Sequence, residues 1–299
     1  MKVVSRGADL VGLADKESDP ALRIALVPTM GALHDGHLSL LRAARAESDL
    51  VVMSVFVNPR QFSSTADLDA YPRDEAGDLA AAESCGVDLV FLPPVEDMYP
   101  PGDSTTVSAG PLGAVLEGAS RPGHFDGVAT VVAKLFNLVE PDIAYFGQKD
   151  AQQLAVIRRM VTDLAFDVRI RACPTVRDAD GLALSSRNRL LSPQERAEAP
   201  ALHLALRQGA GVIERGGRVD DAARAMTGVL EGSSLIQVDY ARAVDPATFQ
   251  PAGGAGPLLL AVAARLGRVR LIDNLLLDVD GGRRVPDSRE SKQGTAAGH

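Results

Sequence analysis

The chain has 299 residues, of which 46% are hydrophobic and 23% charged, as is typical of a globular protein with a sizeable core. Its net charge is −8 and it has no lysine- or arginine-rich run, which argues against a broad nucleic-acid-binding surface. The longest purely apolar run, residues 258–264, is far shorter than the roughly 18 residues that cross a membrane, so no membrane association is expected.

The first 175 residues alternate between short apolar runs and helix-like stretches. The apolar runs are rich in β-branched residues and lack a polar face, which indicates parallel strands covered by helices on both sides. The predicted strands are residues 23–27, 50–57, 87–92, 142–146 and 166–173. This order predicts an α/β fold, with a Rossmann-like, doubly wound parallel sheet in a catalytic domain of residues 1–175.

A polar segment rich in glycine or proline follows each of these predicted strands. The carboxyl ends of parallel strands share one edge of a sheet, and ligands of open α/β sheets bind at that edge. The order of segments alone therefore predicts a ligand-binding site there.

The chain changes character after residue 191. Two helical stretches precede three strand candidates there, at residues 192–217, 220–232, 235–245, 257–267 and 269–279. They predict a smaller C-terminal α+β domain, residues 176–281, with an antiparallel sheet. The last residues, 282–299, are polar and are expected to form a disordered tail.

Two observations bear on the cellular compartment. The N-terminal stretch contains acidic residues and lacks the apolar core of a secretory signal. Cys85 and Cys173 each lie beside an apolar run, which predicts buried free thiols rather than a disulfide. Together they predict a cytoplasmic protein.

Two histidines, His34 and His37, flank Gly36 where a predicted strand turns into a helix. A helix N-terminus offers free N–H groups and the positive end of a dipole, which suit a phosphate. Two alternatives stay open at this point. The pair is also compatible with an ordinary solvated turn, or with a zinc site completed by His124 and the two cysteines.

Two further motifs lie at predicted strand ends. The run GQKD, residues 147–150, opens a helix and places a lysine near backbone N–H groups. The run LALSSRN, residues 182–188, offers two hydroxyls and an arginine, which can hold phosphate oxygens. Taken alone, GQKD is better explained as a helix start with a solvent-facing lysine, and LALSSRN is also compatible with a surface loop. Neither is a Walker motif, and the chain has no GxGxxG.

Taken together, the motifs carry a family resemblance. They are the runs PTMGALHDGHLSL, FVNPRQF, GQKDAQQ, PTVRDADGLALSSRN and ARLGRVRLIDN. By these runs and their order the chain resembles the pantoate–β-alanine ligases, or pantothenate synthetases, a family within the HIGH-motif nucleotidyl-transfer and adenylate-forming enzymes. HDGH would be its HIGH motif, and LSSRN its KMSKS-type loop.

The resemblance implies an ATP-dependent ligase. Such an enzyme converts ATP and (R)-pantoate to pantoyl adenylate and diphosphate, and the amine of β-alanine then releases AMP to give pantothenate. It also implies ATP as substrate, Mg²⁺ as cofactor, and a homodimer.

The resemblance implies roles for particular residues. The implied catalytic residues are His34, His37, Lys149 and Arg187, with His37 as proton donor or charge stabiliser because a histidine pKa of about 6.5 lies near neutrality. Gln61 and Gln153 would bind pantoate and β-alanine. The implied ATP-binding residues are Met30, Gly31, Ala32, Leu33, His34, Asp35, Gly36, His37, Gly147, Gln148, Lys149, Asp150, Val176, Leu184, Ser185, Ser186 and Arg187.

Two departures from the family pattern stand out. Leu184 replaces the methionine that often precedes SSRN, a tolerable apolar exchange if the backbone makes the contact. Gly77 and Asp78 stand where the family often has two acids, so Asp78 is left as the single candidate for a magnesium contact. Arg121 and His124 are weaker candidates near the substrates.

Two other functions compete with the ligase. A simple nucleotidylyltransferase would share HxGH but stop after transferring AMP. A non-catalytic nucleotide-binding module would bind ATP without turnover.

Overall fold

Six parallel strands form the sheet of the first part of the molecule, a computed structural model that describes residues 1–10, 21–253, 256–280 and 283–284. Their order across the sheet is β1-β4-β3-β2-β5-β6, and every neighbouring pair is parallel. The strands are β1 Lys2–Val4, β2 Ile24–Thr29, β3 Leu50–Val55, β4 Leu89–Phe91, β5 Ile143–Gly147 and β6 Arg169–Cys173.

Helices connect these strands. The α-helices are α1 Asp35–Glu47, α2 Thr65–Asp69, α3 Glu75–Ser84, α4 Val95–Met98, α5 Glu117–Ser120, α6 His124–Val139 and α7 Ala151–Asp163. Short 3₁₀ helices lie at Gly7–Leu10, Pro59–Gln61, Gly110–Ala114, Gln148–Asp150 and Ser186–Leu190.

The core lies on both faces of the sheet because the strands are apolar on both faces. In β2, Leu26 packs in one buried cluster with α6, whereas Ala25 and Val27 pack in the other with α1. This arrangement confirms the predicted α/β fold and doubly wound sheet. Strand β1, at one edge, was not predicted.

The strand order reverses between β2 and β5. From β2 the chain moves outward through β3 to β4, and it then returns to β5 on the opposite side. Such a reversal leaves a crevice outside the carboxyl ends of the two strands, which is where open α/β sheets bind ligands. The segments that follow β2 and β5 contain HDGH and GQKD, respectively.

A second, antiparallel sheet follows, with the order β7-β8-β9. Apolar residues such as Leu206, Met226 and Leu260 form one buried cluster of its helices and strands. The bounds are α8 Pro193–Glu198, α9 Ala201–Glu214, α10 Val219–Leu230, β7 Ile236–Val244, β8 Leu258–Leu266, β9 Val269–Leu277 and the short pair β10 Val279–Asp280 and β11 Arg283–Arg284.

The chain divides into two compact units. The first comprises Met1–Asp178 and Ala183–Ser186, and the second Ala179–Leu182 and the residues from Arg187 onward. The first break therefore lies three residues after the boundary predicted at 175, and residues 183–186 group with the first unit rather than with the predicted second domain. The predicted disordered tail, 282–299, lies outside the described residues except for β11.

Within the described residues, no helix is long and apolar enough to span a lipid bilayer. The two cysteines are buried and free, as predicted.

Candidate active site

The turn between β2 and α1 has an unusual backbone. Gly31 has φ +77° and Ala32 has φ +52°, so two consecutive residues adopt the left-handed region. A Cβ at Gly31 would lie 2.6 Å from Oδ2 of Asp78 and 3.1 Å from Cγ1 of Val55. Glycine is therefore required at position 31 by both its conformation and the closeness of its neighbours.

His34 and His37 cap the first turn of α1 reciprocally. Nδ1 of His34 accepts a hydrogen bond from the N–H of Gly36 at 3.1 Å. Nδ1 of His37 in turn accepts one from the N–H of His34 at 3.3 Å. The two ring centroids lie 4.1 Å apart. The sequence HDGH thus forms a capping box built from imidazoles.

These hydrogen bonds determine the tautomers of the two neutral rings. A backbone N–H can only donate, so Nδ1 of each ring must accept and carry no proton. The proton of each neutral imidazole therefore sits on Nε2. The Nε2–H of His37 is thereby a hydrogen-bond donor.

Burial keeps His37 neutral in the ligand-free protein. Desolvation, helped by the neighbouring His34 and Lys149, lowers the pKa of His37 to about 3, against an opposing effect of Asp150. The structure thus departs from the expected pKa near neutrality, chiefly because burial disfavours the charged form of the ring. In this state His37 acts as a hydrogen-bond donor and not as a cation.

The GQKD segment lies close enough to His37 for its charges to act on that ring. Lys149 Nζ is 3.7 Å from Oδ1 of Asp150, and the lysine side chain is 20% exposed. A Cβ at Gly147 would meet no atom within 4 Å, so the end of β5 borders open space. The structure therefore brings HDGH and GQKD together at the reversal of strand order.

Part of the LSSRN segment lies against the same turn. A Cβ on Gly36 would lie 3.9 Å from Cβ of Leu184, and the N–H of Leu184 donates to the carbonyl of Val176 at 3.0 Å. Ser186 is buried in the same unit. Arg187 groups with the second unit, and its phosphate contact stays a prediction.

Gln61 lies beside Met30, with its amide held in one orientation. Asn58 Nδ2 donates to Oε1 of Gln61 at 3.0 Å and to the carbonyl of Gly127 at 3.1 Å. Because a carbonyl only accepts, this second bond fixes which atom of Asn58 is the nitrogen. Gln61 must then direct its NH₂ group away from Asn58, toward Met30 Sδ at 3.0 Å.

The backbone of Gln61 is held by two side chains, one just before α6 and one at its first residue. Its carbonyl accepts hydrogen bonds from Arg121 Nη2 at 3.0 Å and from His124 Nδ1 at 2.7 Å. Burial and the adjacent Arg121 lower the pKa of His124 to about 4. A Cβ at Gly127 would lie 2.3 Å from the carbonyl oxygen of Arg60. Helix α6 can therefore pack this closely against the backbone of Arg60 only because residue 127 is glycine. The run RPGHFDG was the sequence signal for this support.

Comparison with known proteins identifies the family. The family model for pantoate-beta-alanine ligase matches residues 2–276. A pantothenate synthetase from Mycobacterium sp. (strain JLS) is 56% identical over 86% of this chain and 82% of its own length. The chain belongs to the pantoate–β-alanine ligase family.

Solved structures of this ligase family agree. The pantothenate synthetase from Thermus thermophilus superposes with a TM-score of 0.87 at 50% identity, covering 92% of this chain and 99% of that one. The Francisella tularensis ligase, crystallised with beta-gamma ATP and beta-alanine, gives a TM-score of 0.76 at 33% identity, covering 92% and 97%.

The two glutamines of this ligase-family chain's KDAQQ run differ in environment. Gln152 is buried, and its amide bonds to the N–H of Glu117 and to the carbonyls of Leu112 and Val115 at 2.8–3.1 Å. Gln153 is half-buried, and no hydrogen bond of its side chain occurs within the described part of the chain. Gln152 thus holds a loop in place, whereas the role of Gln153 as a substrate contact stays a prediction.

The described residues do not support a metal site built by protein side chains alone. Asp78, the predicted magnesium contact, is 3% exposed, and both its oxygens accept hydrogen bonds from backbone N–H groups. In the part of the chain that the structure describes, no three His, Cys, Asp or Glu side chains form a group able to hold a metal ion. The zinc alternative for His34 and His37 therefore loses its support.

Proposed function

We propose that this chain condenses (R)-pantoate with β-alanine at the expense of ATP, through a pantoyl adenylate, at the site around His34 and His37. The observation that carries the proposal is the reciprocally capped HDGH turn, in which both imidazoles carry their proton on Nε2, at the point where the strand order reverses. Family membership supplies the substrate class.

In the proposed first half-reaction the pantoate carboxylate attacks the α-phosphorus of ATP. Negative charge builds up on the phosphate oxygens and on the departing diphosphate. Fixed donors that match this charge lower the barrier without having to reorganise. His34 and His37 would supply neutral N–H donors, Lys149 would supply a positive charge, and the N–H groups at the start of α1 would add to both.

The nucleotide site would extend beyond these groups. It would include the turn from Met30 through His37, the segment from Gly147 through Asp150, and Val176. The predicted loop from Leu184 through Arg187 would contact the triphosphate. A bound acyl adenylate must be kept from water, which gives such a loop its function.

Pantoate would bind at Gln61 and Gln153. Because Asn58 occupies Oε1 of Gln61, the NH₂ group of Gln61, which has a second N–H beside the one directed at Met30 Sδ, is a donor suited to a hydroxyl or carboxylate oxygen. A neutral amide holds the carboxylate without the strong ion pair that would weaken it as a nucleophile. β-Alanine would then enter the same region and attack the activated carbonyl carbon.

We further propose that Mg²⁺ enters as the counter-ion of ATP, as part of that substrate. Mg²⁺ retains several waters and is commonly bound through substrate phosphates with few protein ligands. This mode agrees with the absence of a metal-binding group among the described residues. A homodimer and a cytoplasmic location are further parts of the proposal that rest on the family resemblance and the composition.

The deciding experiment measures AMP formation by the purified protein with ATP and magnesium. A ligase releases diphosphate only when pantoate is present, and it releases AMP only when both pantoate and β-alanine are present. A nucleotidylyltransferase would instead end with a product that retains the AMP group. Absence of any turnover would support the nucleotide-binding module.

A further inference from the structure

Asp78 connects helix α3 to the turn that carries His34. Its Oδ2 accepts the N–H of Ala32 at 2.9 Å, and its Oδ1 accepts the N–H of Leu33 at 2.7 Å. Both partners lie about 45 residues earlier in the sequence, so these bonds are tertiary contacts. The carboxylate of Asp78 is buried. Its two oxygens accept hydrogen bonds from the N–H groups of Ala32 and Leu33, which lie outside any helix.

The turn requires such a restraint. Ala32 has a Cβ yet adopts the left-handed region, which is unfavourable for a residue other than glycine and persists only where neighbouring contacts enforce it. Ala32 and Leu33 immediately precede His34, whose own N–H donates to His37. The orientation of both imidazoles therefore depends on the segment that Asp78 holds.

We propose that Asp78 is a positioning residue for the nucleotide-binding turn and not a magnesium ligand. Its kinetic consequences rest on the proposed function. Both carboxylate oxygens already face N–H dipoles, whose positive ends disfavour a cation at the same place. Neither sequence neighbour of Asp78 is acidic, and Mg²⁺ bound through Asp78 would have to displace the turn.

Amide hydrogen exchange tests the proposal on the wild-type protein. We expect the N–H groups of Ala32 and Leu33 to exchange slowly in the ligand-free protein, and to remain protected when millimolar magnesium chloride is added without nucleotide. Fast exchange of both amides before addition, or loss of their protection with magnesium, would overturn the proposal. This arm needs no catalytic activity, so it stays informative even if the wild type shows no turnover and the proposed function fails.

The kinetic arm uses Asp78→Asn, with Asp74→Asn as its matched control. Asn at position 78 keeps one acceptor and turns an NH₂ group toward the other N–H. We expect kcat/KM for ATP to fall about 100-fold, as for a small misplacement of reacting groups, with the KM values for pantoate and β-alanine little changed. Excess magnesium should not restore the rate.

Asp74 is the exposed N-cap of the same helix, and its side chain accepts the N–H of Gly77 at 3.0 Å. Asparagine caps helices as well as aspartate does, so Asp74→Asn should keep wild-type kinetics. Recovery of the Asp78→Asn enzyme at high magnesium, or an unchanged kcat/KM for ATP, would contradict the positioning role.

Discussion

The N–H of His34 donates a hydrogen bond to Nδ1 of His37, and this bond defines the chemistry of the second ring. Nδ1 is thereby occupied as an acceptor, and burial disfavours the charged form. His37 is thus prepared as a neutral donor through Nε2–H. In the proposed reaction it would stabilise phosphate charge by a hydrogen bond, with no need to release a proton.

Amide substitutions at position 37 test this assignment. The amide nitrogen of glutamine can approach the position of Nε2, whereas that of the shorter asparagine falls nearer Nδ1. We expect His37→Ala to lower kcat by about 10²–10³-fold, as for loss of one donor to a developing charge. His37→Gln should retain clearly more activity than His37→Asn in steady-state AMP formation.

Equal losses for glutamine and asparagine would contradict a donor role through Nε2. Circular dichroism and thermal melting of each variant provide the control for folding.

The lowered pKa values of His37 and His124 predict a loss of stability in acid. Each folded-state pKa, about 3 and about 4, lies below the ordinary histidine value of 6.5. As the pH falls, the histidines of the unfolded chain therefore take up protons before those of the folded protein. The stability that these rings contribute is present above pH 6.5 and is lost as the pH falls from 6.5 toward the folded pKa values of about 4 and about 3. The contribution is up to about 1.4 kcal/mol per pH unit for each ring.

Denaturant unfolding at several pH values checks this prediction. Between about pH 6.5 and about pH 4 the free energy of unfolding should fall less steeply for His37→Gln than for the wild type. Identical slopes would show that His37 titrates normally in the folded protein.

Lys149 provides a test of the phosphate site. Its side chain is mostly buried beside the open end of β5, and its charge acts on His37. Lys149→Ala should raise the KM for ATP and lower kcat by at least tenfold, because a charge-assisted bond contributes more than a neutral one. Lys2→Ala removes an exposed lysine of β1 and should leave both constants unchanged. Comparable effects of the two substitutions would argue against a local role of Lys149.

Gln61 provides a test of the pantoate site. In Gln61→Glu, a carboxylate replaces the NH₂ group that faces Met30 and would repel the carboxylate of pantoate. We expect the KM for pantoate to rise at least tenfold while the KM for ATP stays near the wild-type value. Gln250→Glu makes the same change at an exposed site of the second unit. A rise in the ATP KM alone would place Gln61 at the nucleotide instead.

The strands of the main sheet could be predicted because apolar, β-branched runs alternate with helical patterns. Strand β1 escaped prediction because two of its three residues are exposed, so it carries little apolar signal. The predicted helix over 192–217 is two helices, α8 and α9, because Pro200 lies between them and has no N–H to donate.

Site chemistry was less predictable than the fold. HDGH was recognisable as a ligand-binding turn from its place between strand and helix. That Asp78 bonds to Ala32, 46 residues away, depends on tertiary packing that no local pattern encodes. The low pKa of His37 likewise follows from burial and from the neighbouring Lys149, which come together only in the fold.

The most direct test of the proposed reaction follows an oxygen isotope label in the carboxylate of pantoate. The protein is incubated with labelled pantoate, ATP, magnesium and β-alanine, and the AMP is analysed by mass spectrometry. Because the carboxylate attacks the α-phosphorus, the account predicts that each AMP carries one labelled oxygen. Unlabelled AMP, or ADP and phosphate in its place, would contradict a pantoyl adenylate.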